Sequence, residues 1–168
     1  PTEFPWGTTA RATSQYQLAN GGTNTEGIAV NYATSAGNVI SVFTASNIGG
    51  PSRVGIFAAH PNNSGRETSG ASLYGIMEMA GNVTERPISI GSPQGRAYTG
   101  AHGNGTLSAA GEADPTNWAS AIAVTGFRGG SWLSNSAVRY MVSDRSEISW
   151  ARTARYLDSG GRGVRNSP

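Results

Sequence analysis

A chain of 168 residues, 37% hydrophobic and only 13% charged, with 24 glycines spread along it, reads as one loop-rich domain covering 1–168 rather than as a helical bundle. It has no cysteine, which excludes disulfides, thiolate metal sites and a cysteine nucleophile. The formal charge is +2 and all twelve basic residues are Arg; the seven from Arg128 onward are interleaved with Asp144, Glu147 and Asp158, so no concentrated basic stripe points to a nucleic-acid partner.

In chain order, Asn20-Gly21-Gly22 and Asn47-Ile48-Gly49-Gly50-Pro51 mark breaks. Between them, Ile28-Ala29-Val30-Asn31-Tyr32 and Asn38-Val39-Ile40-Ser41-Val42-Phe43 are rich in β-branched and aromatic residues and predict two short strands. Ser69 to Met79 fits either a short helical turn or a strand. Ala97 to Asn117 is rich in Gly, Ala, Ser and Thr and predicts an irregular loop, the kind of segment on which binding residues commonly sit. Val124 to Trp132 and Val138 to Arg145 predict two strands joined by the polar connection Leu133-Ser134-Asn135-Ser136. Ser146 to Ser159 is a second polar stretch, and Gly160-Gly161-Arg162-Gly163-Val164-Arg165 predicts a terminal strand. No internal repeat of about 20–50 residues is present, which disfavours a solenoid or a propeller. No apolar run approaches the roughly 20 residues of a membrane span, so membrane insertion by this domain is not expected. The start at Pro1 carries no signal-peptide pattern and is compatible with a piece of a larger protein.

Several separated segments carry a resemblance in a consistent order. They are Phe4-Pro5-Trp6-Gly7, Pro51-Ser52-Arg53-Val54-Gly55, and Leu73-Tyr74-Gly75-Ile76-Met77-Glu78-Met79-Ala80-Gly81-Asn82-Val83-Thr84-Glu85. Phe127-Arg128-Gly129-Gly130-Ser131-Trp132, Arg139-Tyr140-Met141-Val142-Ser143-Asp144-Arg145 and Gly161-Arg162-Gly163-Val164-Arg165 follow. Together they resemble the formylglycine-generating-enzyme (sulfatase-modifying) superfamily over nearly the whole chain. The resemblance implies an α+β, C-type-lectin-like fold with small twisted antiparallel sheets, two helices and much loop.

The departures from that pattern bear on function. The family's oxidase uses two cysteines just after Gly-Gly-Ser-Trp to bind copper; here Ser134 stands at the first position and the second has no thiol counterpart. A serine hydroxyl cannot replace a thiolate as a soft copper ligand, so no catalytic residue and no required cofactor are expected. Thr84 stands where the family has an aromatic residue, and Gly160-Gly161-Arg162 replaces its Gly-Phe-Arg. The family also holds a structural calcium ion around Asn-Val-x-Glu. By position, that would draw on the carboxylates of Glu78 and Glu85 and the carbonyls of Gly81 and Val83, oxygen donors suited to Ca²⁺. The competing reading is that Glu85 pairs with a buried Arg and holds no ion.

Within the superfamily, Val142-Ser143-Asp144-Arg145 and Arg162-Gly163-Val164-Arg165 are most similar to the variable proteins of diversity-generating retroelements, which include phage receptor-binding major tropism determinants. The resemblance implies a ligand-binding or receptor-binding domain on a virion or cell surface. Its partner would be a protein or glycan on a target surface, and its variable region about 131–160. A rigid scaffold can carry changing surface side chains because such substitutions usually shift stability by about ±0.5 kcal/mol or less. The residues placed on that patch are Leu133, Asn135, Ser136, Tyr140, Ser146, Glu147, Ser149, Trp150, Arg152, Tyr156, Leu157 and Asp158. Trp150, Tyr156 and Arg152 are the expected anchors, with Ser and Asn as adaptable polar contacts. The competing reading buries Trp150 in the core and turns Tyr140 inward. Met141, Glu147 and Trp150 are not products of adenine mutagenesis at Asn-type codons, and so are read as fixed scaffold or as arising from other codons.

Arg128, Arg139, Arg145 and Arg165, with Asp144, are read as frame residues that pair with carboxylates and loop carbonyls; recognition of an acidic ligand is the alternative. Trp132 is read as core. His60 and His102, the only histidines, stand in no metal-ligand or nucleophile-elbow context, so the chain is not read as an enzyme. The rival to a variable binding domain is a catalytically dead member of the superfamily serving as a structural module of a larger surface protein.

Overall fold

The computed structural model describes residues 2–89, 91–99, 106–111, 125–148 and 156–161. Its elements are β1 (Gln17–Ala19), β2 (Gly27–Val30), α1 (Val42–Ala45), β3 (Thr84–Glu85), α2 (Pro93–Arg96), a 3-10 turn (Ala137–Tyr140) and β4 (Ser159–Gly160). The described chain is therefore α+β, with short helices and two small two-stranded sheets set among long irregular segments. β1 and β2 pair antiparallel with an irregularity between Gln17 and Leu18. Their connection turns at Asn20, whose positive φ of 53° suits asparagine and whose carbonyl accepts the Thr23 N–H at 3.1 Å.

β3 is the junction that matters for the C-terminal half. It pairs in parallel with β4 through Thr84–Ser159 and Glu85–Gly160, and Glu85 also bridges antiparallel to Arg128. The middle of the chain thus holds the 125–131 segment on one side and residues 158–160 on the other.

The core has two adjoining parts. One gathers Tyr16, Ile28, Ile40, Ile56 and Phe57, with Trp132 packed against its edge. The other gathers Phe4, Trp6, Val39, Ala80 and Tyr140. Successive residues Val39 and Ile40 enter different parts, as expected where neighbouring side chains of an extended segment point to opposite sides. The expected strand over 38–43 is not formed. Asn38 through Ser41 are buried but bond to loops rather than to a ladder, and the chain turns into α1 after Ser41, whose N–H donates to Thr44 Oγ1 at 3.1 Å.

The Asn38 side chain ties this segment to the loops around it. Its Oδ1 accepts from Tyr16 Oη and the Ala33 N–H, both at 2.9 Å, and its Nδ2 donates to the carbonyls of Ala33 at 2.9 Å and Thr68 at 2.8 Å. Both donors and both acceptor positions of the amide are used.

The expected strand from Val138 to Arg145 is replaced in its first half by the 3-10 turn, closed by Arg139 N–H to Ser136 O and Met141 N–H to Val138 O. Packing is the reason: this turn delivers Tyr140 to the core, its ring lying where a Cβ on Gly130 would come within 2.7 Å. From 124–132, Thr125 and Arg128 make isolated bridges; the positive φ of Gly129 (84°) and Gly130 (65°) then turns the chain away. Of the expected terminal strand over 160–165 only Gly160 is in a strand, β4; Gly161 is not, and residues 162–165 lie outside the described residues.

Replacing Asn38 with Ala removes four hydrogen bonds at a buried position and should cost about 2–4 kcal/mol. The expected result is a fall in melting temperature of roughly 5–15 °C in thermal denaturation. An unchanged melting temperature would show that water replaces the amide at no cost.

Candidate binding face

Ser131 organises the loop after Gly130. It is fully buried; its N–H donates to Ser134 Oγ at 2.9 Å, and its carbonyl accepts the Ser134 N–H at 3.1 Å. Its hydroxyl donates to Asp158 Oδ2 at 2.9 Å and accepts the Leu133 N–H at 3.2 Å. Asp158 is held from a second side, since its carbonyl accepts the Thr84 N–H at 2.7 Å. One buried hydroxyl therefore ties loop 131–136 to residues 156–158, and β3 supports both.

The side chains above this tie are open to solvent. Leu133 is 45% exposed, Tyr156 43% and Leu157 70%, and Asn135 is exposed beside a half-buried Ser136. Ser146 is exposed as well, with its N–H and hydroxyl both donating to the Asp144 carboxylate.

Three expected face residues sit differently. Tyr140 is buried at 1% exposure, its hydroxyl donating to the carbonyls of Ser134 and, at 3.2 Å, Ser131. It supports the loop from beneath and is not on the surface. Glu147 is buried too, in an ion pair with Arg139 at 3.0 Å, while its carbonyl accepts the Phe127 N–H at 3.0 Å. Asp158 is half-buried with its carboxylate engaged by Ser131. Ser149, Trp150 and Arg152 lie outside the described residues.

Glu147, Arg139, Asp158, Ser134 and Thr84 converge on a polar cavity of about 30 Å³, large enough for one water molecule. Ser131 and Ser134 were not singled out as organisers by the sequence reading. Two hydroxyl residues three apart, following a Gly-Gly pair, are a signal for a side-chain-closed turn that could have identified them.

The frame arginines stitch irregular backbone. Arg128 donates to the Val142 carbonyl at 2.6 Å, Arg145 donates to the carbonyls of Val142 and Asp144, and Arg139 holds Glu147. Arg165 lies outside the described residues.

In the segment considered for calcium, Glu78 is buried at a positive φ of 59° and Glu85 is half-buried. The Gly81 N–H donates to Gly129 O at 2.7 Å, and Asn82 is occupied structurally: its side chain brackets the Ser52 backbone and its N–H donates to Ile40 O. Among the described residues no three or more His, Cys, Asp or Glu side chains are grouped to hold a metal ion, so an ion here would lean on backbone carbonyls. His60 stacks on Tyr32 at 3.8 Å and its Nδ1 accepts the Asn62 N–H, a packing arrangement. His102 lies outside the described residues.

No family model matches the chain, and neither a curated protein nor a solved structure matches it. Among the described residues no helix is long and apolar enough to cross a membrane.

Burial is the main cause that pushes the Tyr140 hydroxyl up from 10.0 to about 12, and it raises Tyr16 in the same direction. The folded state therefore favours the protonated phenols. Their contribution is fully present below the unfolded tyrosine value and is lost as pH rises through the folded one. Stability should decline between pH 10 and about 12, and Tyr140→Phe should make that decline shallower in denaturant titrations across this window. An equally steep decline in the variant would assign the ionisation elsewhere.

Proposed function

We propose that this chain is a non-catalytic binding domain with a C-type-lectin-like fold of the formylglycine-generating-enzyme superfamily. In this reading it is of the kind found as variable proteins of diversity-generating retroelements. It displays side chains from about 131–160 on a virion or cell surface, and its partner is a protein or glycan on a target surface. The observation that carries the reading is the division within this region. Leu133, Asn135, Tyr156 and Leu157 are open to solvent, while Ser131, Ser134, Tyr140 and Glu147 are buried and bonded to one another or to the frame. Exposed positions above a closed polar network can change identity with little effect on folding, which is what a diversified surface requires. The buried, bonded Glu147 agrees with its being fixed scaffold.

Ser134 adds support for the absence of oxidase chemistry. Its hydroxyl is committed to the Ser131 N–H inside the protein, where it closes a turn.

The test is to sequence the DNA around the coding region. A reverse-transcriptase gene with a near-copy of the segment encoding Gly130 to Arg165, differing mainly at adenines, is the expected finding. An intact locus with neither would replace this reading by that of a structural module in a larger surface protein.

Calcium is a subsidiary part of the proposal, with Glu78 and Glu85 as carboxylates and Gly81 and Val83 as carbonyl donors. On that basis EDTA should lower the melting temperature and added Ca²⁺ should restore it. A melting curve indifferent to both would remove the ion from the proposal.

A further inference from the structure

A second cavity among the described residues is lined by none of the exposed loop residues Leu133, Asn135, Tyr156 and Leu157, although the buried Tyr140 borders it. It has a volume of about 490 Å³, within the range of small-molecule sites, which are roughly 300–1,000 Å³. Its lining is mainly apolar, with Leu73 and Tyr74 from the tip of one turn together with Met79, Met141 and Val142. The tip is built to stay in place, because the Ser72 N–H donates to Ile76 O at 2.8 Å, the Gly75 N–H to Ser72 O at 3.0 Å, and the Ile76 N–H to Ser72 Oγ at 3.2 Å. Leu73 is nevertheless 70% exposed and Tyr74 85%, so a rigid turn holds two large apolar side chains in water at the edge of a cavity. Unbranched thioether side chains such as those of Met79 and Met141 adapt their shape to an aliphatic occupant.

The charges around the cavity narrow the chemistry. Arg66 and Arg128 line it together with Glu3 and Glu85, so its formal charge is balanced. The two arginines are not equivalent. Arg66 lies over the Gly7 backbone and donates to Pro5 O at 2.7 Å. Arg128 is half-buried and donates from one nitrogen to Val142 O, which uses one of the five donors of a guanidinium. Arg145 neighbours Arg128, and both donate to the Val142 carbonyl. A half-buried cation beside a second cation is stabilised by an anion. A balanced cavity that also contains two carboxylates accepts one negative charge more readily than two.

We propose that this cavity binds a small amphiphilic monocarboxylate, its apolar body against Leu73, Tyr74, Met79 and Met141 and its carboxylate on Arg128. The site uses none of the exposed loop residues of the ligand-binding reading above, so a failure of either leaves the other standing.

The experiment is calorimetric titration of the whole chain with decanoate, and with decanol, decylamine and decyl phosphate as controls. Saturable binding of decanoate is expected, with decanol and decylamine weaker by about tenfold or more, the difference that a charge-assisted hydrogen bond makes, and decyl phosphate weaker because of its second negative charge beside two carboxylates. Leu73→Asp and Tyr74→Asp, both at exposed positions, should each weaken decanoate about tenfold while leaving the melting temperature unchanged. Replacing Leu133, Tyr156 and Leu157 together with Ala should leave decanoate binding as it was. Absence of saturable binding, equal binding of decanol, or indifference to the Leu73 and Tyr74 changes would each overturn the proposal. Binding lost with the Leu133, Tyr156 and Leu157 changes would do so too, by moving the site to the other face.

Discussion

The structure depends on one buried stretch of backbone, Asn38 to Ser41, that runs through the interior without a sheet to bond to. Buried peptide groups must find partners, and here they find them in loops. Asn38 ties the segment to Tyr16, Ala33 and Thr68, while the Ile40 carbonyl accepts the Asn82 N–H at 2.8 Å. Two glycines let other segments press against it: a Cβ on Gly70 would lie 2.5 Å from Asn38 O, and one on Gly81 would lie 2.2 Å from Ile40 O. Both also adopt positive φ, so close approach and backbone conformation demand glycine together.

From that segment the rest is connected by short steps. Asn82, bonded to Ile40, also accepts the Trp132 N–H at 2.9 Å, and β3 begins two residues later. Trp132 follows Ser131, the first residue of the loop, which holds Asp158. The exposed tips are thus the far end of a hydrogen-bonded chain that starts in the core. The larger cavity shares its support, since Tyr140 lines it and also donates to the carbonyl of Ser134.

The glycine-marked turns and the strand at Ile28 were legible because each rests on local signals such as β-branched runs and Asn-Gly pairs, whereas the α+β class was only what the resemblance implied. The 38–43 and 138–145 segments were misread for a shared reason. Their apolar, β-branched composition signals burial, and burial alone does not distinguish a ladder from a turn that delivers one ring into a core. For the binding face, the exposure of Leu133, Tyr156 and Leu157 agrees with the polar, irregular character of their surroundings. The burial of Tyr140 and Glu147 does not follow from residue type. It depends on Gly130 leaving room for a ring and on Arg139 lying opposite a carboxylate, both of which are tertiary facts.

The tie between Ser131 and Asp158 has a consequence for recognition. Loops that are fixed before a partner arrives lose little conformational freedom on contact, because their ordering has already been accomplished in folding. In the proposed binding role, a surface of this kind would meet its partner in nearly one shape. Changes of side chain at Leu133 or Leu157 would then act on how long a complex lasts more than on how often it forms, so a lineage could lengthen residence time one exposed residue at a time without reshaping the loops beneath.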